Sequence, residues 1–227
     1  MKTFKVLSLL LCYPQDEWMD ELALMETMLE EEKDRNGAAR TKLADLFKAL
    51  RAQPRLESEQ VYVGTFDRNP SNSLHLFEHI HGESRDRGPA MVNLVEEYRQ
   101  HGLDMHADEL PDYVPLFLEY LSQLQDQDAL GMLGDAVDVL ALIGRNLKAA
   151  NSPYHTVFSV LEGISPIAAQ VLPSVPMREM EETLVQFGPS VDGTEPLMVP
   201  KLQTVSVRMP ESRKPITTSG GKNLNPS

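Results

Sequence analysis

Asp112-Tyr-Val-Pro-Leu-Phe-Leu-Glu-Tyr-Leu-Ser-Gln-Leu124 is the stretch of sequence that decides the fold. It opens with Asp112, a favourable helix N-cap, and it carries Pro115 where the first turn of a helix tolerates proline. Apolar residues then recur at the helical spacing of three and four, at positions 114, 117, 118 and 121. Leu116, Tyr120 and Leu124 cover much of the remaining surface. The pattern therefore predicts a helix in the middle of a hydrophobic core.

The helical period continues in both directions from this stretch, and no segment shows the sustained strict alternation of a β-strand. Gly82 and Gly102 are placed to end two further helices, and Pro89 is placed at the first position of another. We therefore expect an all-α, single-domain helical bundle over residues 1–172. The other apolar stripes run from Trp18 to Leu29, Leu43 to Leu50, Leu74 to His81, Met91 to Tyr98, Leu130 to Leu147 and Val157 to Ile164.

The character of the chain changes after Leu172. The last 55 residues contain eight of the 16 prolines, and their acidic and basic residues balance. Such a segment buries too little apolar surface to offset the entropy lost on ordering. We therefore expect residues 173–227 to form a flexible, disordered tail, with local order only around Met180 to Phe187.

The charge of the chain narrows its possible partners. Its 227 residues carry a formal net charge of -13. A nucleic-acid-binding surface needs clustered lysine and arginine, so this balance argues against nucleic acid, and it also disfavours acidic membranes. An acidic surface attracts the basic segments of a partner protein instead.

The N-terminus and the lone cysteine favour a cytoplasmic protein. Lys2 and Lys5 before the apolar run Val6 to Cys12 resemble the start of a signal peptide, but the run is short and Tyr13-Pro14 follows it in place of a cleavage motif. We interpret this segment as a first core helix that Pro14 stops. One cysteine excludes an internal disulfide, and no apolar run reaches the roughly 20 residues of a membrane span.

One motif suggests metal chemistry. His75-Leu-Phe-Glu-His79 matches the H-x-x-E-H pattern of zinc proteases. In that interpretation His75 and His79 share one helix face, Glu78 polarises water, and a carboxylate from a distant helix completes the site. The alternative is that His75, His79 and His81 face solvent, bond to neighbouring loops or contact a partner. No nucleophile elbow or glycine-rich phosphate loop occurs, and an apolar helix would raise the pKa of Cys12.

Several segments carry a resemblance to a known family. They are Leu10-Leu-Cys-Tyr-Pro14, Tyr62-x-x-x-Phe66-Asp67-Arg68, Ser73-Leu-x-Leu-Phe-Glu-His-x-His-Gly-Glu-Ser-Arg-Asp-Arg-Gly-x-Ala-Met91 and Glu109-Leu-Pro-Asp-Tyr-x-Pro-Leu-x-Leu-Glu-Tyr-Leu121. The chain resembles the NarJ family, the assembly chaperones of respiratory nitrate reductase, from about Phe4 to Leu161. It departs from the family pattern at His75, where that pattern is apolar, and in the proline-rich tail.

The resemblance implies an all-α chaperone with no catalysis and no cofactor of its own. Such a protein holds the catalytic α subunit of nitrate reductase by its N-terminal peptide. Molybdenum cofactor and an iron–sulfur cluster are inserted meanwhile, before the subunit attaches to the membrane. Proteins that deliver molybdenum cofactor are further candidate partners. Physically, broad apolar stripes with Met91 and Met105 nearby could leave a groove for an amphipathic peptide helix.

Two sets of residues are candidates for partner binding. The first set would line or support the groove, with core packing as its rival role: Phe77, Leu110, Tyr113, Phe117 and Tyr120. The second set would form a polar recognition edge for the partner; the alternative is that these residues form only a solvated, charged turn. The set consists of His79, His81, Glu83, Arg85, Asp86 and Arg87.

Overall fold

The computed structural model describes residues 1–32, 39–82, 84–105 and 109–172. This part of the chain contains ten α-helices and no β-strand, which confirms the all-α prediction. The predicted tail over residues 173–227 lies outside the described residues. Among the described helices, none is both long and apolar enough to cross a membrane.

The ten helices account for every apolar stripe found in the sequence. A π-helical turn, Val63–Asp67, directly follows the fifth helix, and a 3-10 turn, Pro70–Asn72, precedes the sixth. The helices are α1 Lys2–Leu10, α2 Asp16–Met19, α3 Leu22–Glu31, α4 Ala39–Ala52, α5 Arg55–Tyr62, α6 Leu76–His81, α7 Arg87–Gln100, α8 Val114–Gln123, α9 Asp126–Ala149 and α10 His155–Ile164.

The helix predicted at the centre of the core is α8, and this prediction is confirmed. Five of its apolar side chains are at most 3% exposed: Val114, Phe117, Leu118, Tyr120 and Leu121. α1 packs along α8, and the Ser8 hydroxyl donates to the carbonyl oxygen of Pro115 at 2.7 Å. This bond satisfies a buried hydroxyl and ties the two helices together.

α9 and α10 form the second close pair of helices, and α10 also packs against α4. Gly144 makes the close approach possible. A Cβ atom built at Gly144 would lie 2.7 Å from the Cβ of Phe158, closer than two carbon atoms can approach. The missing side chain therefore sets the distance between α9 and α10.

Three helix boundaries differ from the sequence predictions. The stripe from Trp18 to Leu29 forms two helices rather than one, because Glu21 takes the non-helical angles φ -95° and ψ 10°. α6 begins at Leu76 rather than Leu74. α7 begins at Arg87, so Pro89 is its third residue rather than its first; the first four amides of a helix lack intrahelical partners, so proline is tolerated there too.

Candidate functional site

An open cleft of about 550 Å³ lies where several helix ends and loops meet. The segment after α1, the end of α5 with its π-helical turn, the residues around the start of α6, and the residue before α8 each contribute to it. Its aromatic lining consists of Tyr13, Tyr62, Phe66 and Tyr113. Its polar lining includes Asp67, Ser73, His75 and Glu78.

The aromatic wall is built on the π-helical turn. This turn continues α5 and places the Phe66 ring 4.9 Å from the Tyr62 ring and 5.0 Å from the Tyr154 ring. Tyr13 contacts Tyr62 edge-on at 5.5 Å between ring centroids. Tyr154, Tyr62 and Phe66 are buried, whereas Tyr13 is 38% exposed. The buried rings therefore fix the wall to the core, and Tyr13 is the ring of these four that solvent or a ligand can reach.

Two phenol hydroxyls form a fixed pair in this wall. The Tyr62 hydroxyl donates to the carbonyl oxygen of Leu11 at 2.9 Å and lies 3.2 Å from the Tyr113 hydroxyl. Burial raises the pKa of Tyr113 to about 12 and that of Tyr62 further. Both phenols are therefore neutral at physiological pH and act only through hydrogen bonds. Burial also raises the pKa of the Cys12 thiol, to about 11, which confirms the direction predicted from the sequence.

Asp112 caps a different helix from the one that the sequence suggested. Tyr113 is the residue that precedes α8, and it provides no side-chain cap. The fully buried Asp112 carboxylate instead accepts a hydrogen bond from the backbone amide of Phe77 at 3.0 Å. The Asp112 carbonyl accepts from the amide of Leu76, also at 3.0 Å. Asp112 therefore satisfies two free amides at the start of α6 and joins α6 to α8.

His75 is held by the same carboxylate. Its Nδ1 lies 3.3 Å from Oδ1 of Asp112, and its ring lies 5.5 Å from that of Tyr113. The hydrogen bond to Asp112 raises the pKa of His75, and partial burial of the ring opposes that rise. An ionised carboxylate can only accept, so Nδ1 carries the proton.

The zinc interpretation of His75-Leu-Phe-Glu-His79 is wrong. His75 lies before α6 in an extended conformation with φ -104° and ψ 109°, so His75 and His79 do not share a helix face. Nε2 of His79 bonds to the carbonyl oxygen of Ser73 at 2.8 Å, while Glu78 accepts from the Ser73 hydroxyl and from Arg87. In the part of the chain that the structure describes, no three histidine, cysteine or acidic side chains are grouped to hold a metal ion.

The predicted polar edge divides into anchored and free residues. Nη2 of Arg87 lies 3.2 Å from Oε1 of Glu78 and 3.9 Å from Oδ2 of Asp112, so this guanidinium links α7 to α6 and to the residue that caps α6. Arg85 and Asp86 are exposed, and the Asp86 carboxylate accepts a hydrogen bond from the Ser84 hydroxyl in the same turn. Glu83 lies outside the described residues.

The neighbouring histidine and aliphatic candidates lie at the surface without lining the cleft. The His81 ring contacts the partly buried Phe77 ring at 5.6 Å, and Phe77 packs against the core. Leu110 is 47% exposed. Met91 and Met105 are partly buried.

Among the predicted aromatic residues, Tyr113 lines the cleft, whereas Phe117 and Tyr120 lie on α8 and are buried in the hydrophobic core. The Tyr120 ring packs on Tyr98 at 4.6 Å, and its hydroxyl bonds to His101 at 2.9 Å. Tyr13, Phe66 and Asp67 line the cleft but were not among the predicted site residues. Their signal in the sequence was present, because each lies in a segment that carries the family resemblance.

Residues 29–159 match the protein family described as "Nitrate reductase delta subunit", which is more than half of the chain. The chain belongs to this family. The matched region of the nitrate reductase delta subunit family contains every lining residue of the cleft except Tyr13.

Named relatives within the nitrate reductase delta subunit family agree with this placement. The chain is 39% identical over 191 residues to the "Probable nitrate reductase molybdenum cofactor assembly chaperone NarW" of Escherichia coli, covering 81% of this chain and 78% of that protein. It is 30% identical over 166 residues to the corresponding probable NarJ chaperone of Bacillus subtilis, covering 71% and 89%. It is 48% identical over 106 residues to the "Nitrate reductase molybdenum cofactor assembly chaperone NarJ" of E. coli, and this match spans 45% of that protein's length.

Proposed function

We propose that this protein is an assembly chaperone of nitrate reductase that acts in the cytoplasm. It binds the apo catalytic α subunit, including its N-terminal peptide, and supports insertion of molybdenum cofactor and the iron–sulfur cluster before membrane attachment. The names of the NarJ and NarW relatives, which describe molybdenum cofactor assembly chaperones of nitrate reductase, support the assembly role. In this proposal the protein performs no chemical step and carries no cofactor of its own.

The observation that carries the proposal is a convergence in space. Four separate segments between residues 10 and 121 carry the family resemblance, and all four contribute to the lining of one cleft. They contribute Tyr13, the pair Phe66 and Asp67, His75 with its neighbours, and Tyr113. The segments that carry the family resemblance therefore meet at this cleft.

The cleft has the properties that peptide binding requires. Aromatic rings provide large apolar contact area at a low cost in conformational entropy, and the buried rings behind them keep that area in place. An amphipathic segment of the catalytic subunit would bury apolar side chains against Tyr13 and Tyr113. The hydrogen-bonded start of α6, held by Asp112, orients the polar edge beside the cleft.

The polar edge has two separate roles in this proposal. Arg87 organises the edge through Glu78 and Asp112, whereas Arg85 is exposed and is available to a partner. Leu110 provides exposed apolar surface near the start of α8.

The experiment is a calorimetric titration of the purified chain with the N-terminal peptide of the catalytic subunit of its cognate nitrate reductase. Saturable one-to-one binding is expected. Tyr13→Ala should weaken it about tenfold or more, because an aromatic anchor in a binding cleft commonly contributes over 1 kcal/mol. Leu24→Ala is the matched control, since Leu24 is 53% exposed on α3 and does not line the cleft.

Nitrate reductase activity in cells is the second readout. Deletion of the protein should leave the enzyme immature, and the Tyr13→Ala variant should restore activity less well than Leu24→Ala. Full enzyme maturation in the deletion strain would rule out the assembly role. Equal loss of peptide binding in both variants would remove the cleft from the proposal.

A further inference from the structure

Resting on the proposed function, we propose that the cleft recognises a lysine or arginine side chain of the bound peptide and that Asp67 selects it. It follows from the charges, hydrogen-bonding capacity and ring faces that line the cleft.

The first observation is the charge of the lining. Asp67 and Glu78 provide carboxylates, and none of the described residues that line the cleft is a lysine or arginine. Glu78 is already engaged by Arg87 and by the Ser73 hydroxyl. Asp67 is exposed and forms no ion pair with any residue that the structure describes. Among the described residues, Asp67 therefore carries the cleft carboxylate that has no ion-pair partner and that an incoming cation can bind.

The second observation is that the neighbouring polar groups can mostly accept hydrogen bonds. The Tyr62 hydroxyl donates to Leu11, so the Tyr113 hydroxyl donates to Tyr62 and its own oxygen keeps free lone pairs. The Ser73 hydroxyl donates to Glu78, so it offers no hydrogen to a ligand in the cleft. Ammonium and guanidinium groups only donate hydrogen bonds. A cleft rich in acceptors therefore complements a lysine or arginine and disfavours a carboxylate.

The third observation is the combination of rings and charge. Lysine and arginine carry an apolar stem beneath a charged head, and aromatic faces attract that head. Tyr13 and Tyr113 offer rings that are partly exposed in the same cleft as Asp67. An apolar segment without a cation would satisfy the rings and leave the Asp67 carboxylate unused.

The test is a cycle of two proteins and two peptides, measured by calorimetry. The peptides are the N-terminal peptide of the cognate catalytic subunit and a copy in which glutamine replaces every lysine and arginine. The proteins are the wild type and Asp67→Asn. The wild type should bind the charged peptide about fivefold or more tightly than the neutral copy, and Asp67→Asn should remove most of this preference.

Asp45→Asn is the control protein, because Asp45 is an exposed residue of α4 that does not line the cleft. It should keep the wild-type preference. Asp67 is exposed, so Asp67→Asn should unfold at the same temperature as the wild type, and thermal unfolding checks this.

The possible failures are distinguishable. If the wild type binds both peptides equally, or if Asp67→Asn keeps the preference, the role of Asp67 is overturned and the chaperone proposal stands. If the wild type binds neither peptide, peptide capture through this cleft is overturned, and the role of Asp67 fails with it.

Discussion

At the scale of single residues, Asp112 links the candidate site to the fold. It is a fully buried carboxylate whose partners are the Phe77 amide, His75 and, at 3.9 Å, Arg87. A buried charge is costly unless hydrogen bonds surround it, and these partners belong to α6, to the residue before it and to α7. One side chain therefore positions the lining and the polar edge together.

We expect Asp112→Ala to lower the free energy of unfolding by about 2–4 kcal/mol, because it leaves the Phe77 amide and the Arg87 charge without their buried acceptor. Asp112→Asn keeps one acceptor oxygen and should cost less. Urea unfolding measures both, and Asp45→Ala should stay within about 0.5 kcal/mol of the wild type.

A second readout isolates the contact with His75. The hydrogen bond to Asp112 raises the pKa of His75, so in Asp112→Ala that pKa should fall, which an NMR titration of the ring measures. With a raised pKa in the folded state, this contact stabilises the wild type fully below the unfolded pKa of histidine. The stabilisation is lost as pH rises through the folded pKa. An unchanged His75 titration in Asp112→Ala would contradict this assignment.

At the scale of helices, α9 and α10 depend on a glycine that the apolar pattern did not reveal. Gly144→Ala should destabilise the protein by about 1–3 kcal/mol, because the new Cβ would collide with the Cβ of Phe158 next to the backbone and cannot turn away. Gly131→Ala is the control on the same helix. A Cβ at Gly131 meets nothing within 4 Å, so that change should stabilise the protein by about 0.5–1 kcal/mol.

Thermal or urea unfolding of both variants measures the contrast. Equal effects of the two substitutions would mean that α9 and α10 separate easily, and the close packing at Gly144 would then be of no consequence for stability.

The helices themselves could be predicted from the sequence because each depends on local spacing. The apolar stripes of α4, α8 and α9 mark where these helices lie in the chain. Gly102, with φ +80°, follows the end of α7, as predicted. The capping of α6 could not be predicted, because Asp112 is 35 residues from Phe77 and its local sequence suits α8 equally well. A side-chain partner across the fold is a property of packing, which spacing along the chain does not encode.

The same distinction explains the site. His75 to His79 has the spacing of a metal site on a helix, but His79 bonds to the nearby Ser73 and His75 bonds across the fold to Asp112, so the two rings have separate roles. The cleft combines Tyr13, Phe66 and Tyr113 from distant parts of the chain. Their shared surface was visible in the sequence only as separate segments of a family resemblance.

At the scale of the whole molecule, charge should govern how fast the partner arrives. A chain with a formal net charge of -13 attracts a basic peptide from a distance, and dissolved salt screens that attraction beyond about 10 Å at 0.1 M. The contacts made in the bound state are shorter and are screened less. Salt should therefore act chiefly on the association rate constant.

Stopped-flow measurements with the N-terminal peptide of the catalytic subunit test this expectation. Between about 0.05 M and 0.5 M salt, the association rate constant should fall about tenfold or more, while the dissociation rate constant changes much less. The copy of the peptide with glutamine in place of lysine and arginine should associate at a rate that salt barely alters. Asp67→Asn removes one charge of many, so it should keep the salt dependence and lose affinity through faster dissociation. Association of the charged peptide that is independent of salt would show that the acidic surface plays no part in capture.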